Sequence, residues 1–497
     1  MDGRFLSKLV LVLFLHTVVK GAAVDPPSKI AIIGGGIGGS SASHFVREKF
    51  GKNVQIDLFE KDSRICGRLD TVTIDGREYE SGGSIIHSKN LYMKKFVKDS
   101  PNLQEASSLS STLGIFDGKD YVLQTSTWSI VSLLKMFWTF GLDLFRLQWL
   151  EKRFINKFVG IYDLQKQGHS YDTVQGFLHA IGGNDFVHAT QITGVAEFSS
   201  DGIGEFMIDN LVSPGLRTNY GQNASVNGFV TAVSMAGIQP GLWSVKGGNK
   251  LVCGELVKNS SANIINEHVS KVVYNAASKT EKFSVFTKQS PSQPKTYDIV
   301  IIAAPIQSDM YHIDLSSACS NEENCPSSKT NGKRYRKTTA NFVKGKLNSS
   351  LFKCNSWKVC PGSILVSNQD TFYRNIGLHI PVDYDPTSEE VEPVYKVFTT
   401  DPMSDEERDY LFESYTTKAT VVWKAYPVYE PPEELTSFVL NSAGLYYTSP
   451  MEWVASAMEM SAISAKNAAL LAYNNWFGKD SDNTTAMKGE LLVHHCS

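Results

Sequence analysis

Three glycines and a glutamate carry the first chemical message of this chain. Gly34, Gly36 and Gly39 stand in the spacing G-x-G-x-x-G, with Gly38 between them, and Glu60 follows the last by 21 residues. Residues of this type suit a dinucleotide. Gly34 permits a tight turn, Gly36 lets the backbone approach a pyrophosphate, and Gly39 lets a helix pack closely on a strand. The N–H groups of a helix N-terminus then face the phosphate charge, while the acid reaches the ribose hydroxyls. The elements that must position them are legible. The run 30–33 is short, β-branched and apolar, as a strand buried on both faces is. A helix is expected from the glycines through Phe50, and a second strand over 54–59 delivers Glu60.

The residues after Glu60 distinguish between dinucleotides. Arg64-Ile65-Cys66-Gly67-Arg68-Leu69-Asp70-Thr71 resembles the R-x-G-G-R-x-x-[ST] signature of flavin amine oxidases, with Cys66 in place of the first glycine. The resemblance implies FAD, with Gly67 and Arg68 against its pyrophosphate. It also implies that Gly82, Gly83 and Ser84 contact the cofactor and that His87 lies near the flavin ring. A histidine satisfied within the fold is the alternative reading of His87. Val269 stands where the family contacts adenine through its backbone. Glu452, Ala455 and Ser456 are expected at the N-terminus of a long alanine-rich helix, 454–474, aimed at the flavin pyrimidine. The helix dipole there would stabilise negative charge.

Composition narrows the class. The 497 residues are 42% hydrophobic and can bury substantial cores; Lys+Arg 48 against Asp+Glu 51 gives a net charge of −3. That balance does not suit a nucleic-acid partner. Residues 1–23 combine Arg4 and Lys8, an apolar core and Gly21-Ala22-Ala23, which reads as a secretory signal cleaved near Ala23. Four sequons, at Asn223, Asn259, Asn348 and Asn483, are then glycosylation candidates, Asn259 and Asn348 lying in the most accessible surroundings. Of seven cysteines, Cys319, Cys325, Cys354 and Cys360 could close two small loops or cross-link them. Cys66 and Cys253 read as buried thiols. HExxH and Cys-x-x-Cys are absent from the sequence, so no metal site is expected.

The chain alternates between two kinds of segment. Residues 29–115, 241–305 and 436–475 read as a Rossmann-type FAD-binding domain. Residues 116–240, mainly helical, and 306–435 form an interleaved α+β substrate domain, and 476–497 a tail. Helices are expected over 171–198, 204–211 and 251–258, a strand pair over 262–266 and 269–274, and strands over 340–347 and 395–399. Over 297–305 the chain resembles the return strand of the same superfamily. Residues 128–154 place Trp128, Leu134, Phe137, Trp138, Phe145 and Trp149 at helical spacing. Burial of these helices against the substrate domain is the simpler expectation; walling a lipid-like substrate or docking on a membrane is the other. Trp138 and Trp243 are candidate substrate-facing residues.

Taken together, KIAIIGGGIGGSSASHF, YESGGSIIHSKNLYMKKFVKD, NYGQ, GLWSVKGGNKLVCGEL, YDIVIIAAP and MEWVASAMEMSAISAKNAALLAYNNW resemble the prenylcysteine oxidase family, including its oxidase-like branch. The resemblance implies a lysosomal, FAD-dependent thioether oxidase acting on farnesyl- or geranylgeranyl-cysteine and O2. Its products are cysteine, a prenyl aldehyde and hydrogen peroxide. Hydride loss from an allylic carbon beside sulfur needs positioning and an apolar tunnel more than a strong base. Glu80 and Glu452 are alternatives for recognising the substrate amine. An amine or polyene oxidoreductase acting on another lipid, or a non-catalytic secreted flavoprotein, are competing readings, as is peripheral membrane or lipoprotein association.

Overall fold

In the computed structural model, which describes residues 24–106, 112–126, 128–237, 241–306, 309–320, 325–326, 333–385 and 392–479, the first apolar run forms the strand Lys29–Ile33. The expected signal at 1–23 and the sequon at Asn483 lie outside the described residues. Both edges of this strand are paired, and its apolar side chains are buried on both faces, Ile30 and Ile32 in one cluster and Ala31 in another. It is the inner member of a six-stranded sheet in the order Val439–Asn441, Leu445–Tyr447, Ile299–Ile302, Lys29–Ile33, Gln55–Phe59, Asn263–Ile265. All its pairings are parallel except that of Val439–Asn441. Parallel strands need covered faces. The helix Ile37–Phe50 covers one face, and the helix Met458–Trp476 packs on it through the buried Ala462, Ala465 and Ala469. Small side chains there allow close approach.

A second, seven-stranded sheet runs Phe412–Pro427, Tyr335–Leu347, Val394–Thr399, Tyr373–His379, Ser363–Val366, Leu113–Phe116, Tyr121–Gln124. Leu113–Phe116 pairs here, with Ser363–Val366, rather than in the nucleotide sheet. Helices from Ser129–Phe140 to Gly228–Ala236 build the remainder of this part. The expected helix over 171–198 divides into Val174–Gly182, Asn184–Ala189 and Gly194–Ser200. Gly183 lies between the first two at φ 66°, and Thr193 caps the third through its side chain.

One expected pairing and one boundary differ. Asn263–Ile265 and Val269–Tyr274 do not pair with each other. The first joins Gln55–Phe59, and the second pairs with Phe283–Thr287 in a separate three-stranded sheet. The C-terminal helix begins at Met458, not at 454. The Tyr429 hydroxyl accepts the Ser456 amide at 2.8 Å and donates to the Glu452 carbonyl at 3.0 Å, diverting backbone groups that a helix would use. Glu452, Ala455 and Ser456 therefore precede that helix.

Cys66 and Cys253 are joined, Cα to Cα 5.6 Å, and are not free thiols. Burial of both at 2% and 0% exposure brought together positions 187 residues apart, which the sequence spacing did not reveal. Cys319–Cys325 and Cys354–Cys360 close the two short loops.

Candidate active site

The glycine turn has the shape a pyrophosphate requires. Gly34 adopts φ +103°, and a β-carbon at Gly39 would fall 1.8 Å from the Gly34 carbonyl oxygen. Only a bare backbone permits that contact. At Gly36, by contrast, a β-carbon would meet nothing within 4 Å, so the space above the turn is open. Gly36 is also the N-cap of Ile37–Phe50, with no capping side chain and no acid in the first turn. The exposed N–H groups and the dipole are thus free for phosphate oxygens. Gly38 faces the C-terminal helix, where a β-carbon would lie 3.8 Å from Ser461.

Glu60 sits where its chain position predicts, just beyond Gln55–Phe59, and is 8% exposed. One carboxylate oxygen accepts the Gly35 amide at 2.8 Å and the other accepts the Asp62 amide at 3.0 Å. It therefore braces the turn itself. Cys66 helps on the other side: its amide donates to the Gly35 carbonyl at 2.7 Å, and its φ of 84° supplies the left-handed geometry a glycine usually provides. Gly67 lies against Gly36. The disulfide anchors this loop to the helix Leu251–Ser260.

Arg68 does not stand alone over the turn. Its guanidinium donates to the Ala425 carbonyl at 3.0 Å and pairs with Glu452 at 2.7 Å. Burial works against the charge, but Glu452 outweighs it and holds Arg68 above its ordinary value. The Tyr335 hydroxyl donates to the second Glu452 oxygen at 3.1 Å, and Arg68 stacks over that ring at 5.7 Å. The Tyr220 hydroxyl donates to the Ser456 carbonyl at 3.1 Å. Ala455, fully buried, completes this segment. Sequence reasoning named Glu452 and Ser456 but missed Tyr335 and Tyr429, isolated aromatics without a surrounding motif.

Gly82 and Gly83 lie on the same loop system. A β-carbon at Gly82 would fall 1.8 Å from the Arg68 carbonyl oxygen, and one at Gly83 would fall 2.8 Å from Leu69. Half-buried Ser84 follows, and Ile86 pairs with Trp243 through backbone bonds of 2.8 and 2.9 Å. Trp243 is thereby brought beside the Gly-Gly segment. His87 belongs to the turn entering the helix Leu91–Asp99: its Nδ1 accepts the Lys89 amide at 3.1 Å. Below, Glu80 accepts the Asn249 amide at 2.6 Å, while its Oε2 is buried without a hydrogen-bond partner. Burial raises its carboxyl to about 7. Lys396, 2% exposed, donates to the Glu80 carbonyl at 3.2 Å and lies over Phe398 at 4.9 Å. Burial lowers this lysine to about 8.

Val269 packs in one buried cluster with Ile33 and Phe59, the residues that precede the glycine turn and Glu60. The Val269 carbonyl accepts the Tyr311 hydroxyl at 2.8 Å, on the three-stranded sheet. Trp138, on the helix Ser129–Phe140, is 84% exposed, and only Phe140 of that helix is buried. Burial was the simpler expectation for this segment, and it does not hold there; Asp143–Phe158 does bury Leu144, Leu147 and Leu150.

Residues 123–484 match the family described as prenylcysteine lyase. The chain belongs to the prenylcysteine lyase family. Residues 32–100 match an NAD(P)-binding Rossmann-like domain, on the glycine turn described above. Within its family the chain is 38% identical over 464 residues to prenylcysteine oxidase 1 of Bos taurus, covering 91% of this chain and 90% of that protein. It is 35% identical over 457 residues to prenylcysteine oxidase 1-like of Bos taurus, with 91% of each covered. Putrescine oxidase bound to putrescine shares the fold at TM-score 0.59 and 14% identity, over 89% of this chain and 98% of that one. Cyclohexylamine oxidase from Brevibacterium oxydans gives 0.58 and 13%, over 90% and 99%. The expected architecture, a Rossmann-type domain of the flavin amine oxidase type with an interleaved α+β part, is the one observed.

Proposed function

We propose that this chain is an FAD-dependent prenylcysteine oxidase, cleaving the thioether of farnesyl- or geranylgeranyl-cysteine. One O2 and one water are consumed, and cysteine, a prenyl aldehyde and hydrogen peroxide leave. The observation that carries this is the open dinucleotide cradle at Gly36 in a chain related along nearly all its length to prenylcysteine oxidases. FAD, when bound, supplies the two-electron acceptor. The protein's part is to hold and orient. The glycine turn takes the pyrophosphate, and Glu60 is placed for the ribose. The Arg68–Glu452–Tyr335 node locks the segment preceding the C-terminal helix. Glu80, with one oxygen unpartnered, is the carboxyl proposed to accept a hydrogen bond from the substrate ammonium, whereas both Glu452 oxygens already accept from Arg68 and Tyr335.

The reading includes a membrane surface from which an apolar substrate is collected. Ten large apolar side chains between Trp128 and Trp149 are exposed, from Val131 at 39% to Trp138 at 84%. A lipid interface would cover such a patch. No helix among the described residues is long and apolar enough to cross a membrane, so contact would be peripheral. Three disulfides support an oxidising compartment entered through the secretory pathway, the lysosomal lumen being the site proposed. Glycans are proposed at Asn259, which is exposed, and at Asn348 and Asn223, whose amides donate to the Tyr410 carbonyl and to Gln369.

The test is spectroscopic. Purified protein should show flavin absorbance that S-farnesylcysteine bleaches without oxygen, and peroxide should form when air is admitted. Colourless folded protein that takes up no FAD, or a flavin untouched by the thioether, would overturn the reading.

A further inference from the structure

Three arginines converge on one spot with no carboxylate among them. Arg217 lies in the helix Ser213–Tyr220, Arg336 in the strand Tyr335–Leu347 and Arg374 in the strand Tyr373–His379. Arg217 is 7% exposed and Arg374 5%. Arg217 spends its Nη1 on the carbonyls of Val366, at 2.9 Å, and Asn368, at 2.6 Å. Arg374 donates through Nη2 to the Thr400 hydroxyl at 2.8 Å. Its Nη1, and the Nε of Arg336, are buried without any hydrogen-bond partner.

Those two orphan donors face the same point. A β-carbon at Gly221 would lie 3.0 Å from Arg374 Nη1 and 3.1 Å from Arg336 Nε. Gly221, at φ +64°, places no side chain between these donors. The acids whose fields reach the cluster are Asp370, toward Arg217, and Asp401, toward Arg374, and Asp401 is paired with Lys337 at 2.7 Å. Burial, then repulsion by Arg336 and Arg217, pushes Arg374 down to about 10. Buried donors left unpaired on mutually repelling cations are costly, and a planar guanidinium matches the oxygens of a carboxylate or phosphate.

We propose that Arg217, Arg336 and Arg374 form a binding site for a small oxyanion, which the unpartnered Nη1 of Arg374 and Nε of Arg336 would hold beside Gly221. This is separate from the phosphate site at Gly36, yet it adjoins the cofactor cradle along the chain. Tyr220 and Tyr335, the neighbours of Gly221 and Arg336, hold Ser456 and Glu452. The oxyanion can come from a free anion such as inorganic phosphate, or from the carboxylate of a cysteine-bearing ligand.

Thermal unfolding of the full-length flavin-loaded protein tests this without relying on turnover. Sodium phosphate, sodium acetate and sodium chloride are compared at equal ionic strength, as are S-farnesylcysteine and S-farnesylcysteamine, which lacks the carboxylate. Saturating phosphate or acetate should raise the wild-type melting temperature by ~2–4 °C over chloride, and Arg374→Gln and Arg336→Gln should each abolish the rise. In chloride, Arg374→Gln should be no less stable than wild type, since it removes an unpaired buried charge. If S-farnesylcysteine alone stabilises the wild type, and loses its advantage over S-farnesylcysteamine in the variants, the bound oxyanion is the ligand's carboxylate. A response to the free anions alone identifies a free anion as occupant. Equal melting temperatures for the wild type in every salt and with both ligands would overturn the proposal, as would variants that respond as the wild type does. Should Arg374→Gln not fold, the less buried Arg336→Gln carries the comparison.

Discussion

Acidification from pH 7.5 to pH 5 should stabilise this protein. Glu80, Glu433 and Glu459 are 6%, 6% and 2% exposed, and burial raises each carboxyl to about 7. In the unfolded chain a glutamate titrates near 4.3. With the folded value above the unfolded one, the contribution to stability is complete below about pH 4.3 and is lost as pH rises through about 7. Between pH 7.5 and 5 each carboxyl therefore contributes about 2 kcal/mol. Buried His379 opposes them. Burial, then Lys396, lowers it to about 3, so its contribution is present above about pH 6.5 and falls away toward acid, costing about 2 kcal/mol by pH 5. His44, lowered mainly by burial, acts in the same direction as His379. The carboxyls prevail by a few kcal/mol, which in a chain of this size corresponds to a melting temperature ~5 °C higher at pH 5. Calorimetry at constant ionic strength measures it. Glu459 accepts the amides of Tyr92 and Met93 and the Tyr162 hydroxyl, so Glu459→Gln, which cannot titrate, should flatten the net profile by about half. A melting temperature that falls on acidification, or an unaltered slope in Glu459→Gln, would refute the assignment of these protons.

Cys253→Ser should cost ~2–5 kcal/mol in denaturant unfolding, because the lost cross-link spans 187 residues, and should weaken flavin retention by freeing the Cys66 loop; unchanged stability would contradict this. Gly39→Ala forces a β-carbon to within 1.8 Å of the Gly34 carbonyl oxygen, so the purified variant should lose its flavin absorbance, and full flavin content would show that the turn is not the cofactor site. Trp138→Ala, altering a side chain 84% exposed, should move the melting temperature by less than ~1 °C while weakening binding to lipid vesicles, and a large stability loss would mean that the helix is buried in solution.

What the chain order determines is what neighbours in sequence can do for one another. The strand Lys29–Ile33, the turn at Gly34 to Gly39 and Glu60 were legible because one βαβ unit contains the whole phosphate-binding device. The Cys66 turn was legible only by resemblance, and its partner was not. Cys253, Glu452 and Ala425 meet the loop from 187, 384 and 357 residues away, and nothing in their local sequence announces it. The same holds for the start of the C-terminal helix, displaced from 454 to Met458 by a tyrosine from another strand region. The exposed face of Ser129–Phe140 is the sharpest case. Helical periodicity shows that an apolar stripe exists, but whether protein covers it depends on where the remaining elements pack. Arg217, Arg336 and Arg374 are likewise unremarkable one by one. Only the crossing of a helix and two strands at Gly221 puts three like charges together, and that long-range convergence is what tertiary structure alone decided.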